Sequence, residues 1–399
     1  MEKNMKQGNC STLDNLSHVV RDQAATKLDV VMSTKKVAIH PKPIQLSEQF
    51  SGFRKMELLL EDGRTIEAKV DRVAQDQIAS FCGKGFVSYA RHLADNGKFD
   101  LLADNFNSWL HTPDTARENR MFRLIKTPYS VCDYTLRSMK SDMYLRLDNE
   151  FVLDTLRPVL DEFPELEVQS LNAGDHSLHA KFTSPQLRGE VEIGDIVEAG
   201  VRLWNNEIGL AFLWIQAYLG RLACTNGAVM ADLLEGIKRM HRGPQLGVGI
   251  LPQYYDDPAT YTPLDIESLQ SDMRSSIRRC LDQVSFDKMV AKLQDTASKE
   301  TKLTRFSSPL IEKPEFPALT LVEKDFGSLT KTVKSSIHQH FVSDGNHTQW
   351  GFANAITRTA NDQQSYETAT RLEEIGGKVL AFTPRDWRRY QNAEFKKAA

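Results

Sequence analysis

The side chains able to do chemistry are scattered, and few stand at spacings that a reaction requires. His176-Ser-Leu-His179 spans a turn and the strand after it, so the two imidazoles do not share a face. A zinc site wants four convergent nitrogen or sulfur ligands, and no cysteine is near. His338, His340 and His347 do no better, because helix positions two apart point in different directions. Glu190, Glu192, Asp195 and Glu198 are the acidic group closest to a cation-assisted nuclease. An extended segment places Glu190 and Glu192 on one face, yet the lysine and the third acid at a defined place are missing. Solvated strand edges carry such charges too. Gly243-Pro-Gln-Leu-Gly-Val-Gly249 lacks the Lys-Ser/Thr of a phosphate-binding loop and reads as a mobile loop. Cys10, Cys82, Cys132, Cys224 and Cys280 stand far apart with no Cys-x-x-Cys pair, which points to neither a zinc ribbon nor a disulfide framework. Cys224 closes an apolar strand and reads as a small packed hydrophobe. No Gly-x-Ser-x-Gly elbow occurs. The chain therefore reads more readily as a binding protein than as an enzyme, with no metal and no cofactor implied.

Binding chemistry is more legible. Arg117, Arg120, Arg123, Lys126, Arg137, Lys140 and Arg146 face only Glu118, Asp133 and Asp142 over the same stretch, a local charge of +4 in a chain whose formal net charge is −3. Phe122, Tyr129, Tyr134 and Tyr144 are threaded among them. Single-stranded nucleic acid is held by such mixtures, cations tracking phosphates while rings stack on bases. Lys238, Arg239, His241 and Arg242 form a second basic patch. Arg385, Arg388 and Arg389 with Trp387 and Tyr390 form a third. Basic residues at strand ends are also commonly just solvated, and aromatic residues commonly core.

These groups need a scaffold, and the pattern points to an α+β chain with a central antiparallel sheet, a β-meander followed by a helix. The 399 residues, with 41% apolar side chains, suffice for a large core. Residues 1–48 read as a loosely ordered N-terminal arm with one short helix near 13–26, residues 49–306 as the α+β core domain, 307–320 as a proline-rich linker and 321–399 as a C-terminal helical segment packed on the core. A hairpin is expected over 56–60 and 65–70, helices over 71–81, 87–95 and 99–110, strands over 121–126 and 132–137, and a helix over 149–160. Strands follow at 166–171 and 177–182. The clearest element is a strand hairpin over 195–226. Val197, Ala199, Val201 and Leu203 alternate with Glu198, Gly200, Arg202 and Trp204, the signature of a half-buried strand. Helices are expected at 228–240, over 264–292, and at 326–341, 349–361 and 365–376, before a basic tail. Residues 208–219 are the most apolar run, too short to span a bilayer, and no signal peptide is evident.

The hairpin also carries a resemblance. Val201-Arg-Leu-Trp-Asn-Asn-Glu-Ile-Gly209 and Tyr218-Leu-Gly-Arg-Leu-Ala-Cys-Thr-Asn-Gly-Ala-Val-Met230 are similar to the hallmark of the phage/plasmid-like protein family, a domain of unknown function of the nine-three-two type. Tyr144-Leu-Arg-Leu-Asp-Asn149, Lys238-Arg-Met-His-Arg-Gly243 and Thr348-Gln-Trp-Gly-Phe-Ala-Asn-Ala-Ile-Thr357 resemble three further family segments. Asn205-Asn206 stands where the family has Asn-Ser. The residues carrying the likeness are Asn205, Asn206, Glu207, Gly209, Arg221, Cys224, Asn226, Gly227, Trp350, Asn354 and Thr357. The resemblance implies a mobile-element protein of the bacterial cytoplasm, with no catalytic residue to transfer. Three functions stay open. The first is binding or annealing of single-stranded DNA through Arg117–Arg146 and Lys238–Arg242, as a homo-oligomer. The others are a factor that binds a host protein, and a metal-dependent nuclease using Glu190, Glu192 or Asp195.

Overall fold

The computed structural model describes residues 9–43, 54–83, 85–112, 118–127, 132–144, 146–210, 213–222, 226–230, 237–239, 263–298, 300, 302–303, 317–363 and 365–393. Two sheets organise them. The first runs β1 (Asn9–Cys10), β8 (Glu167–Ala173), β9 (Ser177–Glu192), β10 (Asp195–Asn206), β11 (Leu213–Arg221) and β12 (Asn226–Val229), with β13 (Ile237–Arg239) also pairing with β11. The second runs β2 (Lys27–Ser33), β6 (Asn119–Lys126), β7 (Tyr134–Ser141), β5 (Thr65–Val70), β4 (Arg54–Leu59) and β3 (Val37–Pro43). All of these pairings are antiparallel except β5 with β7, so the α+β class with a largely antiparallel sheet holds.

Each sheet has its own apolar core. Helices α2 (Arg72–Cys82), α3 (Phe86–Asp95) and α4 (Phe99–His111) pack on the second sheet around Phe106, Phe122, Leu124 and Leu136. Asp71 starts α2 as expected, its carboxylate accepting from the Ala74 amide at 2.7 Å. The first sheet is covered by α1 (Leu13–Ala25), α5 (Asn149–Leu160), α6 (Pro263–Cys280) and α7 (Gln283–Thr296), and by the C-terminal helices. Those are α8 (Pro317–Phe326), α9 (Lys331–Asp344), α10 (Gln349–Asn361), α11 (Tyr366–Ala381) and α12 (Pro384–Gln391). Phe341, Trp350, Phe352, Ile375 and Trp387 share one cluster with Val201, Ile215 and Phe182, so the C-terminal helices belong to the first sheet's core. Among the described residues no helix is long and apolar enough to cross a membrane.

Four expectations need correction. Residues 9–43 are not a loose arm: they supply β1, α1, β2 and β3, and Leu16 and Val20 are buried. The alternation of Leu28, Val30 and Met32 is diluted by the polar residues between them. Strand β10 is not half-buried, because Glu198 and Arg202 on its polar side are covered and ion-paired with Arg188 and Glu374. Strands over 226–229 and 237–239 extend the sheet into the stretch 228–240 where a helix was expected, since pairing with β11 overrides local helix propensity. The basic tail contains α12, closed by a Thr383–Asp386 capping box. The proposed linker lies outside the described residues over 307–316, and its last four positions open α8.

The approach of α11 to β12 leaves no room for a side chain. A Cβ on Gly377 would stand 1.8 Å from the Val229 carbonyl oxygen. Gly377→Ala is expected to lose about 1–3 kcal/mol to overpacking, more than the roughly 1 kcal/mol that Ala gains over Gly in a helix. The urea midpoint should fall at unchanged slope, and an unchanged midpoint would show that α11 does not bear on this strand.

Candidate functional site

The two sheets meet at a buried carboxylate. Glu207 sits in the turn after β10, held with its side chain 1% exposed. Its backbone amide donates to the His176 carbonyl at 2.9 Å, which ties the β10–β11 turn to the neighbouring β8–β9 turn. Both turns press on the face of the second sheet opposite α2–α4. Phe122, Leu124 and Leu136 point to those helices, so Arg123 and Arg137, beside them in sequence, point the other way. Glu207 Oε1 accepts from Lys27 Nζ at 2.5 Å and from the Asn149 amide at 2.9 Å, while Oε2 accepts from Arg137 Nη1 at 2.9 Å. Its carbonyl accepts from Arg123 Nη1 and the Tyr144 hydroxyl. Gly209 closes the turn at φ 66°, a left-handed conformation suited to glycine. A Cβ there would lie 2.9 Å from the Tyr144 ring.

The electrostatics follow from burial. Desolvation and the Asp148 charge push Glu207 upward, but Lys27, Arg137 and Arg123 outweigh them and hold it below the ordinary carboxylate range. Asp148 behaves alike: desolvation opposes ionisation, while Arg123 first and then Lys27 hold it at about 2. Asp148 occupies the N-cap position of α5 without capping it, because its Oδ1 accepts from Arg123 Nη2. Glu207 takes the first helix amide instead, where the helix dipole also favours a negative charge. Burial, with the Arg123 charge, pulls Lys140 down to about 8. Its ammonium lies 5.5 Å from the Tyr144 ring centroid.

Beside this joint the sheets leave a cleft of about 550 Å³. One transverse row of the second sheet builds its wall, since the register aligns Ile125 with Thr135 and Thr135 with Lys69. Arg137, at the register shift where β7 carries one extra residue opposite Arg123 and Leu124, lines the same cleft as Thr135. Lys126, Thr26, Thr127 and the β8–β9 turn residues Asp175 and His176 complete the lining, with Asp22 and Asp71. His176 Nε2 stands 3.2 Å from Asp71, and the Thr127 and Thr135 hydroxyls are 2.7 Å apart. Arg137 is wholly buried, and Nη1 donates to Asp175 O and Glu207. Its Nε and Nη2, on one edge of the guanidinium, have no hydrogen-bond partner.

The basic segment read from sequence therefore divides. Arg123 and Arg146 are buried against Asp29, Arg123 also against Asp148, and are not available to phosphates. The same burial removes Arg137 from the surface, but places it in the cleft with Lys126, which is exposed. Arg120 is half-buried over the Phe81 ring and Lys140 half-buried beside Tyr144. Arg117 and Arg242 lie outside the described residues, as do the side chains of Lys238 and Arg239, whose backbone forms β13. In the third patch Trp387 and Tyr390 are core, and Arg389 pairs with Asp325.

The residues carrying the family likeness gather in two structural clusters. Tyr144, Asp148, Asn149 and Gly209 lie around Glu207, Arg146 pairs with Asp29, and Asn205 donates to Leu147 O and Asn149 Oδ1. Asn206 accepts from the Leu210 amide. The second cluster joins Arg221 and the Trp350 indole N–H to Asp195, at 2.6 and 2.7 Å. Asn354 and Thr357 lie in α10, where Thr357 packs against Gly376 of α11. Gly227 lies against the Tyr218 ring, while Cys224 and the Asn226 side chain fall outside the described residues. The acidic group does not converge: Glu190 accepts from Gly194 N, Glu192 from Asn346 and Glu198 from Arg188, and Asp195 is held by Arg221 and Trp350. Among the described residues no three metal-ligating side chains gather. Lys27, Asp29 and Lys69 went unrecognised in sequence. The only signal for the first two was the weak alternation over 27–32.

Compared with known proteins, the chain matches no family model, no curated protein and no solved structure.

Glu207→Gln should cost about 3–5 kcal/mol, because removing one partner leaves buried cations uncompensated. A carboxylate with a depressed folded pKa contributes stability that is full above its unfolded value and lost as pH falls through the folded one. The wild type should therefore lose stability from about pH 4 toward pH 2, the window Asp148 sets. Urea titrations across that range should show a shallower slope for Glu207→Gln, and an equal slope would contradict the assignment.

Proposed function

We propose that this protein binds single-stranded nucleic acid without catalysing a reaction, as a component of a phage or plasmid, and that the cleft beside Glu207 seats the phosphates. One observation carries the reading. Two residues expected from sequence to touch phosphate, Lys126 and Arg137, line one cleft together with Lys69, and the buried guanidinium there keeps two N–H groups unpartnered. Buried donors are normally satisfied, so such a pair favours a ligand with two acceptor oxygens. The acids Asp22, Asp71 and Asp175 in the same lining temper the field, which fits a short contact with few phosphates.

A labelled oligonucleotide should show a rise in fluorescence anisotropy at low salt. Two or three contacts on a single strand predict that log affinity falls with log salt at a slope of about −1.4 to −2.1. Lys126 is exposed, so Lys126→Glu should leave the melting temperature alone and weaken binding about tenfold. No anisotropy change at low salt, or undiminished binding by the variant, would remove the proposal.

A further inference from the structure

We infer that the floor of the cleft takes a phosphomonoester, the phosphate at a strand end or on a free nucleotide, rather than a phosphate inside a chain. The inference rests on the reading of the cleft as a phosphate site and specifies which phosphate enters it.

The guanidinium of Arg137 is preorganised. Asp175 O at 2.8 Å and Glu207 Oε2 at 2.9 Å hold Nη1, which fixes the plane of the group. Nε and Nη2 are the two donors of its opposite, side-on edge, and that edge matches two oxygens of one phosphate. Arg137 is fully buried, so the group that reaches it must descend into the cleft. A phosphate within a strand carries a sugar on either side and would have to bring both down with it. A terminal phosphate carries one ester substituent and presents three oxygens. Two face the Arg137 edge, and the third faces a wall that offers the Thr127 and Thr135 hydroxyls.

A phosphomonoester carries close to two negative charges at neutral pH; Arg137, Lys69 and Lys126 stand against Asp22, Asp71 and Asp175 in the same lining, so directed donors rather than net charge would hold it. Asp22 and Asp71, with the Asp71–His176 pair at 3.2 Å, stand in the same lining and disfavour a longer run of phosphates. The volume of about 550 Å³ lies within the roughly 300–1,000 Å³ of small-molecule sites, enough for a terminal nucleotide and not for an extended strand.

The test compares one oligonucleotide carrying a 5′-phosphate, a 3′-phosphate or hydroxyls at both ends, with deoxyadenosine monophosphate and deoxyadenosine as competitors, all on the full chain. At least one phosphate-ended strand should bind about tenfold more tightly than the hydroxyl-ended one, a difference of about 1.4 kcal/mol. The monophosphate should compete and the nucleoside should not. Arg137→Lys keeps a cation for Glu207 but removes the two-pronged edge, and should erase the preference. Thr135→Val, which makes no contact with Glu207, should reduce it even if the arginine variant fails to fold. Equal binding of all three strands with no competition by the monophosphate overturns the inference while strand binding stands. Thermal stabilisation by the monophosphate without binding of any strand supports the inference, with a free nucleotide as the source, and ends the strand-binding reading. Binding of no ligand overturns both.

Discussion

A carboxylate buried among cations holds this architecture together. The two sheets have separate apolar cores, so apolar packing within each does not dictate how they sit on each other. The tip of the β10–β11 hairpin of the first sheet instead carries Glu207 into the face of the second, where Lys27, Arg137 and the first amide of α5 share its oxygens. Desolvating one charge there without its partners would cost several kcal/mol, so the position is defined within narrow limits. Gly209 and Asn205 serve the same end, one by its positive φ and the other by hydrogen bonds to the start of α5.

Much of the local structure was legible in the sequence because its signals are local. The Asp71 cap of α2 and the β10–β11 hairpin follow from a capping residue, turn residues and strict alternation, whereas Asp148, at the N-cap position of α5, is diverted to Arg123 and leaves the first helix amide to Glu207. What stayed hidden depends on distant partners. The strands over 27–43 alternate weakly and are recruited by β6 and β4, a choice that no short window contains. The polar face of β10 reads as solvent-facing until α11 brings Glu373 and Glu374 to Lys181 and Arg202. The basic segment over 117–146 misled for the same reason. Its arginines alternate with core residues as a solvated strand face would, and only the arrival of Glu207, Asp29 and Asp148 turns them inward.

The joint and the candidate site are one construction. Arg137 spends one nitrogen on Glu207 and the β8–β9 turn, and leaves two without a hydrogen-bond partner. The interaction that orients the sheets thus also immobilises the group proposed to meet a ligand, so binding energy would not be spent on ordering it. The same coupling makes the hairpin residues structural in their own contacts and functional only through what they position.

Hydrogen exchange of the full chain, with and without a 5′-phosphorylated single strand, tests this account most directly. It predicts slower exchange over residues 125–127, 135–137 and 175–176, where the cleft is built from both sheets. Binding that leaves those three segments unchanged and protects others would contradict it.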